Sequence, residues 1–177
     1  VAHESFGGPI EGGLEFAVLN AAMPVGAVLG GVLSGWVARV RRQGRAVNWA
    51  IGIWGVAMFG LGLAVGAAPG QRLAWLGVAF ALLAIGGAAD MASAAFRNTI
   101  LLSAADDAVR GRLQGVFIVV VAGGPRIADA LHGYVATGVG TAWTIAGGGL
   151  AVVIGIVLVS LLVPVFYRYE VTPASVK

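Results

Sequence analysis

The sequence predicts an all-α membrane protein, a bundle of five transmembrane helices, and three observations carry that expectation. Of the 177 residues, 59% are hydrophobic and only 11% are charged, whereas a soluble domain carries about a quarter charged residues. Five separate stretches each supply the roughly 20 apolar residues that a helix needs to cross the hydrocarbon core. The 29 glycines fall mostly inside those stretches; in a soluble core they would weaken helices, but in a membrane small residues let helix backbones approach closely.

In chain order, the spans are read as Leu14 to Ala38, Val47 to Ala68, Leu73 to Ala95, Leu113 to Ala136 and Ala142 to Phe166. The bundle thus covers residues 14–166, after an extracytoplasmic segment over 1–13 and before a cytoplasmic tail over 167–177. No repeat, linker or second domain interrupts it. The opening "VAHESFGGPIEGG" has no positive segment ahead of an apolar run, which argues against a signal peptide. A start on Val1 is read as the later part of a longer protein.

Span one holds Gly26 and Gly30, and separately Gly31 and Gly35, at four-residue spacing; span two repeats the pattern with Gly62 and Gly66. Such spacing makes a groove on one helix face, suited either to static packing or to helices that slide past one another. Pro24 in span one and Pro125 in span four are expected kinks, because proline removes a backbone hydrogen bond. Pro69 and Gly70 mark a tight turn between spans two and three. The longer connection after span three, "FRNTILLSAADDAVRGRLQG", is read either as a solvated loop or as a short interfacial helix with Ser103 and Asp106 in an approximate capping box. Trp36, Trp49, Trp75 and Trp143 lie near span ends and Tyr167 and Tyr169 close the last span, as an interfacial aromatic belt does. Trp54 and Phe59 lie deeper, and Glu15 and Asn20 enter span one from outside.

Arginine and lysine placement sets the orientation, since short cytoplasmic loops retain positive charge. Nine of the eleven basic residues fall on one side: Arg39, Arg41, Arg42 and Arg45 after span one, Arg97, Arg110 and Arg112 after span three, and Arg168 and Lys177 in the tail. Arg72 lies opposite, and Arg126 lies within span four. The expected topology has the N-terminus outside and the C-terminus in the cytoplasm.

Ionisable groups concentrate in "VVVAGGPRIADALHGY", where Arg126, Asp129 and His132 interrupt an apolar run. Charges inside a membrane helix are costly, about 3 kcal/mol each on insertion scales, so they face a bundle interior or a cavity and find partners. Asp129 is the expected partner of Arg126 at three-residue spacing; Asp90 on span three is the other candidate. Two readings stand side by side. The carboxylates and His132 take and release protons as a cavity alternates sides, or Arg126 and Asp129 are a structural ion pair with His132 wetted near the outer surface.

Enzyme classes fail on inventory. Absent cysteine excludes disulfides and thiolate chemistry. Two histidines with no carboxylate cluster at ligand spacing offer no metal site, no glycine-rich loop joins a strand to a helix, and no cofactor is implied. The formal charge of +3 reflects loop placement, and no basic face with interleaved aromatics suggests nucleic acid.

Two segments carry a resemblance. "GGVLSGWVARVRRQGRAV", Gly30 to Val47, resembles a degenerate loop motif of the major facilitator superfamily, with Leu33, Gly44 and Arg45 matching in type and Gly35 and Trp36 standing near the motif's missing acidic residue. "FRNTILLSAADDAVRGRLQGVFIVVVAGGPRIADALHGYVA", Phe96 to Ala136, together with "VPVFYRYE", is similar to the C-terminal half of the enterobactin-exporter-like branch of that superfamily. The resemblance covers Leu14 to the end and implies helices eight to twelve of a twelve-helix transporter. It implies a multi-pass protein of the bacterial inner membrane exporting a small amphiphilic molecule, such as a siderophore or drug, by proton antiport. The bilayer, that substrate and an N-terminal half of the transporter are then its partners. Arg126, Asp129, His132 and Asp90 become candidates for coupling, and Gly31, Gly35, Gly44, Arg45, Arg110 and Arg112 candidates for the gating loops. The alternative is a membrane bundle that does not transport by itself, acting in assembly or as half of a split transporter.

Overall fold

The computed structural model describes residues 13–32, 35, 37, 39–67, 72–105 and 107–170. Within them all regular structure is helical: α1 Leu14–Val32, α2 Gln43–Ala67, α3 Arg72–Ala104, α4 Asp107–Val139, α5 Thr141–Leu162 and the short α6 Pro164–Tyr167. The five long helices are long and apolar enough to cross a membrane. At 1.5 Å per residue α2 alone reaches about 37 Å, beyond the hydrocarbon thickness of about 30 Å.

Four helices pack in the spatial order α1, α3, α2, α5, and α4 touches α5 and α3 only sparingly. Glycine makes the two outer seams. Gly26 lies directly against the Ala84 carbonyl, Gly87 against that of Met23, and a Cβ on Gly30 would stand 3.0 Å from Ala88 Cα, so α1 and α3 meet backbone to backbone. Across α2 and α5, Gly62 lies against the backbone of Ala142 and Ala146, and Gly149 against that of Phe59 and Gly55. Lipid tails are as apolar as leucine, so such contact supplies dispersion energy that hydrophobic exclusion does not provide between membrane helices. Of the spaced glycines, Gly26, Gly30 and Gly62 build seams; Gly66 stands at ordinary distance from Ala142, and Gly35 has nothing near it.

Two apolar clusters fill the bundle. One gathers Ala57, Met58, Leu61, Val65 and Ala79, with Trp54 and Trp75 partly buried against it. The other joins Val37, Val47 and Phe96.

Several boundaries differ from those the hydropathy predicts. α3 runs nine residues past Ala95, and α4 already starts at Asp107, so residues 107–112 are helical and continuous with the span that follows. The extension holds because Phe96 is buried, and because the hydroxyls of Thr99 and Ser103 donate to the carbonyls of Ala95 and Ile100. Ser103 therefore belongs to the last turn of α3 and caps no helix start; Asp106 lies outside the described residues. Gly140, at φ of 85°, separates α4 from α5 in a conformation that other residues rarely adopt. Pro24 and Pro125 both lie within helices. Leu33, Trp36, the Pro69–Gly70 turn, the N-terminal segment over 1–12 and the tail beyond 170 lie outside the described residues.

One end of the bundle collects the start of α2, the end of α3, the start of α4 and α6. Arg42 Nε donates to Glu170 at 3.0 Å, Gly44 N to the Tyr169 carbonyl at 3.2 Å, and Ser103 and Tyr169 share a hydroxyl hydrogen bond of 3.2 Å. Arg39, Arg41, Arg42, Arg45, Arg110, Arg112 and Arg168 belong to the segments that meet there.

Candidate functional site

α4 sets the geometry of the charged group. Among residues 108–139 none is buried. Arg110, Gln114, Phe117, Ala128 and Ala136 are half-buried and return to one side of the helix, which is the side turned to the bundle, while Gly123, two residues before Pro125, is half-buried on the other side. His132 lies near that side: its Nε2 stands 3.3 Å from where a Cβ on Gly148 of α5 would be. Arg126 is two residues from Ala128, about 200° round the helix, and thus faces away from the bundle. Asp129, also exposed, lies on the flank between them.

The expected pairing does not form. Among the described residues no ion pair joins Arg126 to Asp129 or to Asp90. Asp90 instead pairs with Arg97, Oδ1 to Nη2 at 3.7 Å, two turns along the same face of α3. The reason is directional: Arg97 and Asp90 share a face, whereas Arg126 lies on the far side of another helix. The pair is long and partly exposed, so its net contribution is below about 1 kcal/mol. The structure thus separates the four candidates into Arg126 on the outward side of α4, Asp129 on its exposed flank, His132 against α5, and Asp90 on α3.

The gating-loop candidates also divide. Gly44 lies directly beneath the Phe166 carbonyl, and the Arg45 guanidinium stands 5.2 Å above the Tyr167 ring, so both hold the C-terminal segment. Arg110 donates to the carbonyls of Leu102 at 3.3 Å and Ala105 at 3.2 Å, satisfying groups that the end of α3 leaves open. Arg112 is exposed, Gly31 meets only the Met91 methyl at 3.7 Å, and Gly35 has open space around it.

One polar pair escaped the sequence reading. Asn48, 6% exposed, donates from Nδ2 to Ser160 Oγ at 2.7 Å, linking α2 to α5 where both are otherwise apolar. Ser160 in turn donates to the Ile156 carbonyl at 2.6 Å. The available signal was a lone amide in span two and a lone hydroxyl in span five. Among the described residues no group of three or more histidine and carboxylate side chains is placed to hold a metal ion.

Fold and site together define a multi-pass, all-α membrane bundle with one loosely attached, charge-bearing helix. Comparison of the chain with protein-family models, curated proteins and solved structures yields no match.

Proposed function

We propose that this chain is the C-terminal part of a secondary active exporter resembling the major facilitator superfamily. It works in the bacterial inner membrane with its arginine-rich end in the cytoplasm, and moves a small amphiphilic molecule, a siderophore or drug, against an inward flow of protons. Its chemistry is transport and not covalent catalysis. The observation that carries the reading is α4: Arg126 projects from an apolar helix away from the bundle, with Asp129 exposed on the flank beside it, and neither has an ion pair among the described residues. Facing lipid they would be costly, so that side belongs against a water-filled path or further protein. A transporter built from two helical halves has such a path between them, near the bilayer midplane. The N-terminal half would supply the opposite wall.

Asp129 is the proposed proton carrier, Arg126 the fixed charge beside it, and His132 a group near the α4–α5 contact that senses helix movement. Asp90, paired with Arg97, steadies the end of α3. Gly44, Arg45 and Arg110 hold the loops at the arginine-rich end, with Arg112 exposed beside them. The test is efflux from energised cells expressing the full-length gene, comparing Asp129→Asn with the parent at matched membrane abundance. Loss of gradient-driven efflux with preserved folding is the expected result; unchanged efflux would contradict the role of α4. The second reading, a non-transporting assembly bundle, is favoured by the backbone-to-backbone seams, which leave α1, α2, α3 and α5 little room to slide. In that case the exposed side of α4 would be a docking face.

A further inference from the structure

A groove of about 740 Å³ runs between α2, α3 and α5. Trp49, Ile53, Val56, Leu82, Val157 and Leu161 are among its walls, and Gly52, with nothing within 4 Å, leaves a notch in its floor. The lining is almost wholly apolar. Its polar exception is the Asn48–Ser160 pair, where Asn48 Oδ1 is buried without a hydrogen-bond partner among the described residues. Tyr167 also lines the groove, and the same ring borders a second, smaller pocket of about 230 Å³ lined by Arg42, Arg45, Arg168 and Glu170. The apolar and basic cavities are therefore neighbours that share one residue.

Charge decides what fits. The smaller pocket holds three guanidinium groups and one carboxylate, and that carboxylate is engaged by Arg42 at 3.0 Å. Arg45 leans on the Tyr167 ring and Arg168 is exposed; neither has an ion pair among the described residues. The surplus is positive, at the rim of a long hydrocarbon-lined channel. Basic pockets beside transmembrane helices are suited to anionic lipid headgroups.

We propose that these two cavities form one binding site for an anionic phospholipid, its phosphate among Arg45, Arg168 and Arg42 and one acyl chain along the groove over Gly52. A zwitterionic lipid fills the groove equally well, but its ammonium offsets the charge that its phosphate brings to the arginines; free phosphate satisfies the arginines but leaves the groove empty. The site stands on α2, α3, α5 and α6, away from Arg126 and Asp129, and its existence does not depend on transport.

Trp49 supplies the probe, since it lines the groove and is 69% exposed. The protein is reconstituted in phosphatidylcholine bilayers containing brominated phosphatidylglycerol, or brominated phosphatidylcholine at the same fraction, and tryptophan quenching is measured. The part of the signal removed by Trp49→Phe reports the groove. Phosphatidylglycerol is expected to quench Trp49 preferentially, with about a fivefold loss of that preference for each arginine neutralised in Arg45→Gln and Arg168→Gln. For the unaltered protein, raising the salt from low to molar concentration is expected to shrink the same preference through screening, so the test survives if a variant fails to fold. Equal quenching by the two lipids, or a preference that salt and both substitutions leave intact, would overturn the site.

Discussion

Adding one methyl group to α5 is predicted to have opposite effects at two positions only two residues apart. A Cβ on Gly149 would lie 2.6 Å from the Gly55 carbonyl oxygen and closer still to Phe59 N, both backbone atoms that no rotamer change can move. Restoring an ordinary contact of 3.4 Å requires the α2–α5 seam to open by about 0.8 Å at the Gly55 oxygen and by more at Phe59 N, and gaps of about 0.5–1 Å already forfeit a quarter to a half of the dispersion well. Overpacking of this kind costs about 1–3 kcal/mol, against which the better helix propensity of alanine returns up to about 1 kcal/mol. Gly149→Ala is therefore expected to destabilise, by up to about 2 kcal/mol once the full propensity gain is subtracted. A Cβ on Gly147 meets nothing within 4 Å, so Gly147→Ala keeps only the propensity gain of up to about 1 kcal/mol. Unfolding of the purified protein in mixed micelles, titrated with dodecyl sulfate and followed by circular dichroism, compares the two midpoints. Equal shifts in the same direction would refute the close-seam argument.

Other perturbations probe the remaining contacts. Phe96→Ala, at a site 1% exposed between Val37 and Val47, should cost about 3–5 kcal/mol in the same titration. Ser160→Ala removes the acceptor of Asn48 Nδ2 and should cost about 1–3 kcal/mol; Asn48→Leu combined with it is expected to recover part of that loss, and additive losses would contradict the hydrogen bond. Gly44→Ala places a methyl group on the Phe166 carbonyl, so limited trypsin digestion at Arg168 should quicken; unchanged cleavage would mean that α6 is held from elsewhere. Arg42→Gln breaks only the exposed pair with Glu170 and should shift the unfolding midpoint by less than about 1 kcal/mol.

The helices were legible in the sequence because hydropathy and length suffice for a membrane span. Their ends were less so. Hydropathy stops at Arg97, but α3 continues because Phe96 packs beneath it and hydroxyls bond back to its carbonyls, and neither contact has a compositional signature. Glycine spacing located the seams only in part: Gly26, Gly30 and Gly62 meet a neighbouring backbone, while Gly31, at the same spacing, meets only the Met91 methyl and Gly35 meets nothing, since a motif cannot state what faces it. Asp90 pairs two turns along its own helix with Arg97 and not across to α4, because a partner on the same face needs no help from neighbouring helices. Gly44 and Arg45 stood out in the sequence, but their contacts with Phe166 and Tyr167 join segments more than a hundred residues apart and needed the fold. The outward projection of Arg126 also required the packing of α4, because residue spacing fixes a helix face without saying which neighbour it meets.

The central claim, that the Arg126 side of α4 borders a water-filled path, is tested most directly by thiol labelling. With no native cysteine in the chain, single cysteines at Ala122, Ala130 and Gly133 on that side, and at Ala128 on the bundle side, can be exposed to a membrane-impermeant maleimide in sealed vesicles of both orientations bearing the full-length protein. The account predicts rapid labelling at the first three, protected by transported substrate, and little at Ala128. Absence of labelling on the Arg126 side from both faces of the membrane would mean that this side is packed against dry protein, and would contradict the transport path.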